Sequence, residues 1–408
     1  MGGPLEGLRV VECASFVAGP TAGMTLAQLG ASVIRIDPIG GGPDHARWPA
    51  AHGGTGDSYY WASLNKGKQS ITVDMRSERG RELVLALATA PGEDRGVLVD
   101  NVVGRRWMAN DVLTARRPDL IHVRVQGYPD GRPAVDYTVN AEVGIPAITG
   151  GEEGAAPVNH VLPAWDLLTG LSVSTAVLAA LHQRQRTGEG VYSEIALSDV
   201  ALAGVANLGW LSEAAESGRD RTRHGNHLYG SFGVDFACAD GKRVMVVALT
   251  PAQWKALVSV TGTESVFAAL EKAFDTDLAD ETERYRLRET IAAVLKPWFL
   301  ERDSEVVADE LNRARALWGR YQGMTDVVTA HRGGEHPLLA DLPLPGGPTG
   351  ITARSPLRWN GERGEPGSAP MLGADTDRVL AEVLGLSDSE IGELHDQQVI
   401  GERRDPQR

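Results

Sequence analysis

Cysteine is almost missing from this chain: Cys13 and Cys238 are the two among 408 residues, each inside an apolar stretch. So few thiols, so far apart, exclude a disulfide framework and a cysteine-held metal site, and they suit a reducing, cytoplasmic setting. Basic residues are also in deficit. Lys plus Arg number 40 against 54 Asp plus Glu, a net charge of −14, which makes nucleic acid and anionic membrane surfaces poor partners. No run of about 18 consecutive apolar residues marks a membrane span. The start, Met1-Gly2-Gly3-Pro4-Leu5-Glu6, lacks the basic and apolar regions of a signal peptide. What is there is ordinary for a folded protein, with 42% hydrophobic and 23% charged residues and enough length for two or three domains.

Leu8-Arg9-Val10-Val11-Glu12-Cys13 reads as a strand and Ser15-Phe16-Val17-Ala18-Gly19-Pro20 as the turn after it. A helix over 21–29, stopped by Gly30, leads to a second strand over 31–37. The glycine triad of a dinucleotide site is missing from this βαβ unit, so a generic α/β scaffold is favoured over nicotinamide binding. Strands over 70–74, 96–101, 120–125 and 190–197 continue the alternation with helices. The expected fold class is therefore α/β, a doubly wound and mostly parallel Rossmann-like sheet with a smaller α+β domain. The expected division is a large domain over 1–200 and 350–408, a linker over 201–225, a small domain over 226–330 and a return linker over 331–349. Ala239-Asp240-Gly241-Lys242 signals a hairpin inside the small domain.

The most informative stretch is Asn159-His160-Val161-Leu162-Pro163-Ala164-Trp165-Asp166, followed by a segment apolar nearly all round until Gly188. It predicts a buried helix with Asp166 at its mouth. Asp166 has two readings: a plain N-cap, or a carboxylate nucleophile toward an activated acyl group. Composition and spacing leave both open.

Seven short segments then bear on the choice. Leu5-Glu6-Gly7-Leu8-Arg9-Val10-Val11-Glu12 and Ala18-Gly19-Pro20 come first, then Gln28-Leu29-Gly30-Ala31, Ile34-Arg35-Ile36-Asp37-Pro38 and Leu64-Asn65-Lys66-Gly67-Lys68. Arg186-Thr187-Gly188-Glu189-Gly190 and Leu372-Gly373-Ala374-Asp375-Thr376-Asp377 complete the set. In this order they resemble the class III CoA-transferases over nearly the whole chain. That resemblance implies an acyl-CoA partner, coenzyme A entering as part of the substrate with no resident cofactor or metal, an interlocked homodimer, and Asp166 as the residue that becomes acylated. Asp136-Tyr137-Thr138-Val139-Asn140 and the stretch over 158–166 are similar to members that move CoA between the two carboxyls of one unsaturated C5 dicarboxylic acid. Intermolecular CoA transfer, racemisation and non-catalytic CoA binding are the alternatives. The chain departs from the family where Gly373-Ala374-Asp375-Thr376 replaces Gly-Glu-His-Thr, and where the glycine-punctuated loop over 225–233 replaces a run of glycines.

Within that resemblance, amides of Phe16, Val17 and Ala18, or of Gly230, are candidates to hold an oxyanion. Arg35, Lys68, Arg105 and Arg106, with Asn65 and Asn101, are candidates for CoA, although any one of these cations alone can equally be a solvated charge. Trp48, Tyr128 and Tyr137 are candidate walls of an acyl pocket or simply core aromatics. Asn159 and His160 are candidates for the free carboxylate of a diacid, and His160 is equally well a structural histidine.

Overall fold

A computed structural model describes residues 3–51, 57–151 and 156–401. Six strands carry the order of the molecule: β1 Arg9–Cys13, β2 Ser32–Asp37, β3 Gln69–Thr72, β4 Val97–Asp100, β5 Ile121–Gln126 and β6 Val191–Ala196. Val10, Val33, Ile34, Ile71, Leu98, Val99, Ile121 and Val123 are all buried, because each of these strands but the last is covered on both faces. The sheet is parallel throughout, in the order β3-β2-β1-β4-β5-β6. Strand order reverses at β1 and β4, and open α/β sheets bind ligands beyond the carboxyl ends of their strands at such a point. One face packs through Val10, Ala22, Leu26, Val123, Val173 and Val177, under the helices Ala18–Gln28 and Ala164–Thr187. The other packs through Ile34, Ile71, Val84, Leu87, Leu380 and Leu394, under Glu78–Ala88, Thr376–Leu384 and Asp388–Asp396. The α/β, doubly wound expectation is the fold observed.

The chain divides into two compact units. The sheet belongs to the first, made of Met1–Val143, His160–Glu213 and His336–Arg408; the second comprises Gly144–Asn159 and Ala214–Glu335. In the second, β7 Phe232–Ala237, β8 Arg243–Ala248 and β9 Leu317–Arg320 form an antiparallel sheet in that order. Phe236 stacks on Phe299 with centroids 4.2 Å apart, and Phe232, Trp254 and Leu257 extend the core. The inclusion of 144–159 differs from the expected division. Val158 donates to the Pro146 carbonyl and Gly225 to the Gly150 carbonyl, while Arg223 reaches the carbonyls of Ala147 and Ala156. Backbone bonds of this kind leave no hydropathy pattern. The expected linker over 201–225 takes in the end of the helix Leu197–Asn207 and all of Trp210–Ser217, and the return segment runs into the hairpin of β10 Leu339–Pro343 and β11 Thr349–Ala353.

The helix Ala164–Thr187 corrects a second expectation. Val173, Val177 and Ala180 are buried, yet Leu168, Leu171 and Leu178 are 44%, 51% and 39% exposed, so one face alone is covered by the described residues. By length and composition it could cross a membrane, although no unbroken apolar run announced that; within the unit it packs on Ala18–Gln28, β5 and β6. Gly188, at φ +76°, stops it as expected.

Candidate active site

Asp166 is the third residue of its helix and not its N-cap; Pro163 holds that place and has no side-chain acceptor. The orphan amides of the first turn still need partners. They find one in another helix, Asp136–Glu142. Oδ2 of Asp136 accepts from the Trp165 amide at 2.7 Å and from the Asp166 amide at 3.1 Å. Oδ1 of Asp136 meets Nε2 of His160 at 3.0 Å, and Asn140 accepts from Nε1 of Trp165 at 3.0 Å. Asp136, 1% exposed, thus caps the helix from outside its own sequence. That corrects the N-cap reading of Asp166 and frees its carboxylate, which no described side chain hydrogen-bonds or ion-pairs. Burial first, and the neighbouring Asp136 second, push the Asp166 carboxyl up to about 6, against the pull of Arg47. A carboxyl with that value is still mostly ionised at neutral pH, and little solvation has to be stripped from it before it attacks.

Tyr60, Arg47, Phe16 and Tyr137 share this neighbourhood. The Tyr60 hydroxyl is raised to about 12, by burial first, with Asp44, Asp166 and Tyr137 adding to the shift and Arg47 opposing it. The Arg47 guanidinium lies 5.7 Å from the Phe16 ring centroid and 5.5 Å from that of Tyr60. Tyr137 donates from its hydroxyl to the Val161 carbonyl at 3.1 Å. Arg47, Tyr60, Asp44 and Asp136 were not among the expected site residues. Asp44 finds the Phe16 amide 28 positions away and Asp136 the Asp166 amide 30 positions away, so no local spacing marked either acid.

The turn after β1 is held in a left-handed conformation at Phe16, φ +69°, a strained choice for a side chain of that size. Two contacts pin it. Asn101 exchanges bonds with Ser15, accepting from its amide at 3.4 Å and donating to its carbonyl at 3.2 Å. Asp44 accepts from the Phe16 amide at 2.8 Å, so that amide is already engaged. Val17 and Ala18 remain as oxyanion candidates, since amides at a helix start precede the i→i−4 ladder. Their helix crosses that of Asp166 closely at Gly170, where a Cβ would sit 2.7 Å from the Ala18 oxygen and 2.6 Å from Cβ of Thr21.

Arg35 and Lys68 are fully buried, at 0% side-chain exposure. Arg35 binds Asp37 at 2.9 Å, Asp44 at 3.0 Å and Asn65 at 3.1 Å. Lys68 binds Glu12 at 2.9 Å, Asn65 at 2.8 Å and the Pro20 carbonyl at 2.9 Å. Burial pulls Lys68 down to about 8 and pushes Glu12 up, each opposed by the charge of the other. This is a correction: with interior carboxylates taking their donors, Arg35 and Lys68 are not placed to meet a phosphate, and Asn65 is tied to them. Arg105 instead lines a cavity of about 630 Å³ with Ile39, Asp74, Arg76, Arg81 and Trp107, just beyond the carboxyl ends of β2, β3 and β4. Arg106 pairs with Asp111 on the surface and is not among the cavity's lining residues. Tyr128 donates to Glu142 at 2.7 Å and lies under Arg132, while Trp48 is 73% exposed. His160 is engaged with Asp136. Asn159 and Gly230 belong to the second unit, where Gly230 takes φ +78° in open space.

A parallel sheet in dinucleotide order without the glycine fingerprint, with a half-buried carboxylate at Asp166 that no described side chain pairs and an arginine-lined crevice, suits acyl transfer better than hydride transfer. Residues 5–376 match the family model described as CoA-transferase family III, and the chain belongs to that family, whose members take CoA thioesters as substrates. Among its relatives, the 2-methylfumaryl-CoA isomerase of Chloroflexus aurantiacus is 46% identical over 98% of each chain. The succinyl-CoA:mesaconate CoA-transferase of Haloarcula hispanica is 30% identical over 94% of this chain and 96% of its own. A CaiB/BaiF family protein from Brucella suis shares the fold with a TM-score of 0.74 and 26% identity, covering 94% of this chain and all of its own.

Proposed function

We propose that this enzyme moves CoA from one carboxyl to the other of an unsaturated C5 dicarboxylic acid, through an aspartyl-CoA thioester on Asp166. The observation that carries the reading is the Asp166 carboxylate, without a partner among the described residues at a helix start that Asp136 caps. In the proposed sequence Asp166 attacks the thioester carbonyl, forming an aspartyl anhydride and releasing CoA thiolate. The thiolate attacks the aspartyl carbonyl, leaving aspartyl-CoA and a free diacid. The second carboxylate of that diacid attacks aspartyl-CoA to form a new anhydride, and the thiolate closes the cycle at the new acyl carbon. Each step forms one acyl bond and breaks one, so no other reactant is needed. Retaining the diacid turns a bimolecular return into an internal one, worth up to about 7–11 kcal/mol in favourable cases.

The amides of Val17 and Ala18 serve as the oxyanion donors in this reading, each typically worth about 3–4 kcal/mol. The crevice lined by Arg76, Arg81, Arg105 and Trp107 takes the phosphates and base of CoA. The exposed Leu168, Leu171 and Leu178 are covered by a second copy of the chain, giving a cytoplasmic homodimer, and light scattering of Leu171→Glu against the parent reads that assembly. The likeness to the succinyl-CoA:mesaconate transferase favours intermolecular transfer as the second reading. Incubation with 2-methylfumaryl-CoA and isotope-labelled free diacid separates the two. Positional isomerisation without label in the CoA pool supports internal transfer, and label in the pool supports the other. Peptide mass spectrometry then locates CoA on Asp166; its attachment at any other residue would overturn the nucleophile.

A further inference from the structure

We propose that Arg47 selects for a dicarboxylic acyl group, its guanidinium holding whichever carboxylate is not reacting at Asp166. This rests on the function just proposed and adds to it the residue that recognises the diacid. Arg47 is exposed and pairs with no carboxylate among the described residues, in contrast to the buried Arg35 and Lys68 of the same unit.

Its backbone is fixed on both sides. The Arg47 amide donates to the Asp44 carbonyl at 3.1 Å, and Arg35 anchors the Asp44 carboxylate. The Arg47 carbonyl accepts from the Ser58 hydroxyl, and that hydroxyl also caps the helix Tyr59–Asn65. Phe16 and Tyr60 offer aromatic faces to the guanidinium at 5.7 Å and 5.5 Å, which orient the head while its N–H edge stays available. Its charge acts on both Asp166 and Tyr60, so the head and the nucleophile share one electrostatic neighbourhood.

A guanidinium offers two parallel N–H donors to a carboxylate. A single such anchor serves both halves of the proposed cycle, because the diacid presents one end to Asp166 and the other to Arg47, then turns end for end. Between the halves the free diacid carries two charges, and Arg47 keeps it from leaving while Asp166 carries CoA. A guanidinium devoted only to packing on Phe16, or to CoA itself, would make no distinction between acyl groups.

Arg47→Gln and Arg47→Lys test this, with 2-methylfumaryl-CoA as the dicarboxylic thioester and crotonyl-CoA as an unsaturated thioester lacking the second carboxylate. For the first, kcat/KM of isomerisation is measured together with free diacid released to the medium. For the second, the rate of aspartyl-CoA formation is read by mass spectrometry. Arg47→Gln is expected to lower kcat/KM for the dicarboxylic thioester about 100-fold and to raise diacid release, while crotonyl-CoA changes by less than about threefold; Arg47→Lys recovers part of the loss. Equal losses with both thioesters, or no loss with either, overturn the role of Arg47 while leaving the Asp166 adduct standing. Absence of aspartyl-CoA in the parent enzyme with both thioesters would sink the nucleophile, and this role with it.

Discussion

Around Arg35, the side chains of Glu12, Asp37, Asp44, Asn65 and Lys68 are all buried and bound to one another at 2.8–3.5 Å. Around Asp166, in the same unit, Asp136 gives both oxygens to amides and His160, while the Asp166 carboxylate and the Arg47 guanidinium form no ion pair among the described residues. Both clusters gather charged side chains, but to opposite ends. A buried ion whose every partner is present is rigid, because moving any one of them strands the rest. An ion left without a partner is available to a substrate, at a cost the surrounding fold must cover. The clusters also touch through Asp44, which binds Arg35 on one side and the Phe16 amide on the other. The rigid cluster therefore holds the strained turn at Phe16, whose ring faces the Arg47 guanidinium.

The contrast is most sharply broken by Asp166→Asn. Isomerisation should fall by about 10⁴-fold or more, seen in a coupled or chromatographic assay, while the variant becomes more stable at pH 7. The sign follows from the raised carboxyl: the native state holds that proton more tightly than the unfolded chain, so stability is lost as pH rises toward about 6. Asparagine escapes that loss, gaining about 1–3 kcal/mol in urea melts above pH 6. Loss of stability in Asp166→Asn at pH 7 would contradict the unpaired-carboxylate picture.

Arg35→Met goes the other way. It strands Asp37, Asp44 and Glu12 and should cost about 3–5 kcal/mol in the same melts, with activity lost through the Phe16 turn. A stability change under about 1 kcal/mol would show that the cluster is not scaffolding. Gly170→Val comes next, since the added carbons meet Ala18 and Thr21; about 1–3 kcal/mol is expected from thermal or chemical unfolding. Asp136→Asn is the gentlest. Its amide oxygen can still cap the helix, so stability should move by less than about 1 kcal/mol, but its charge no longer raises Asp166. The acid limb of the kcat/KM profile, expected near pH 6 for the parent, should then shift to lower pH. An unmoved limb would assign it to another group.

The parallel sheet was legible because Val- and Ile-rich runs such as Val97-Leu98-Val99 alternate with helical patterns, and strand boundaries fell within a residue or two. Ser387 and Glu390 stand at the spacing of a capping box, and both of its bonds are present. Short strands such as β9, with four residues, carry too little alternation to read. Asp166 was singled out because a lone acid heads an apolar helix, but its freedom was not legible, because its helix is capped by an aspartate 30 residues earlier.

Residue order settled what depends on local pattern: strands and helices, the parallel class of the sheet, the stop at Gly188 and the family to which the chain belongs. Whether a given charge is scaffold or chemistry lay beyond it. Arg35 and Arg105 look alike in one dimension, yet one is enclosed by Asp37, Asp44 and Asn65 and the other lines an open crevice. Desolvation and pairing depend on distances through space, and folding brings together partners that the chain keeps 30, 56 and 86 positions apart.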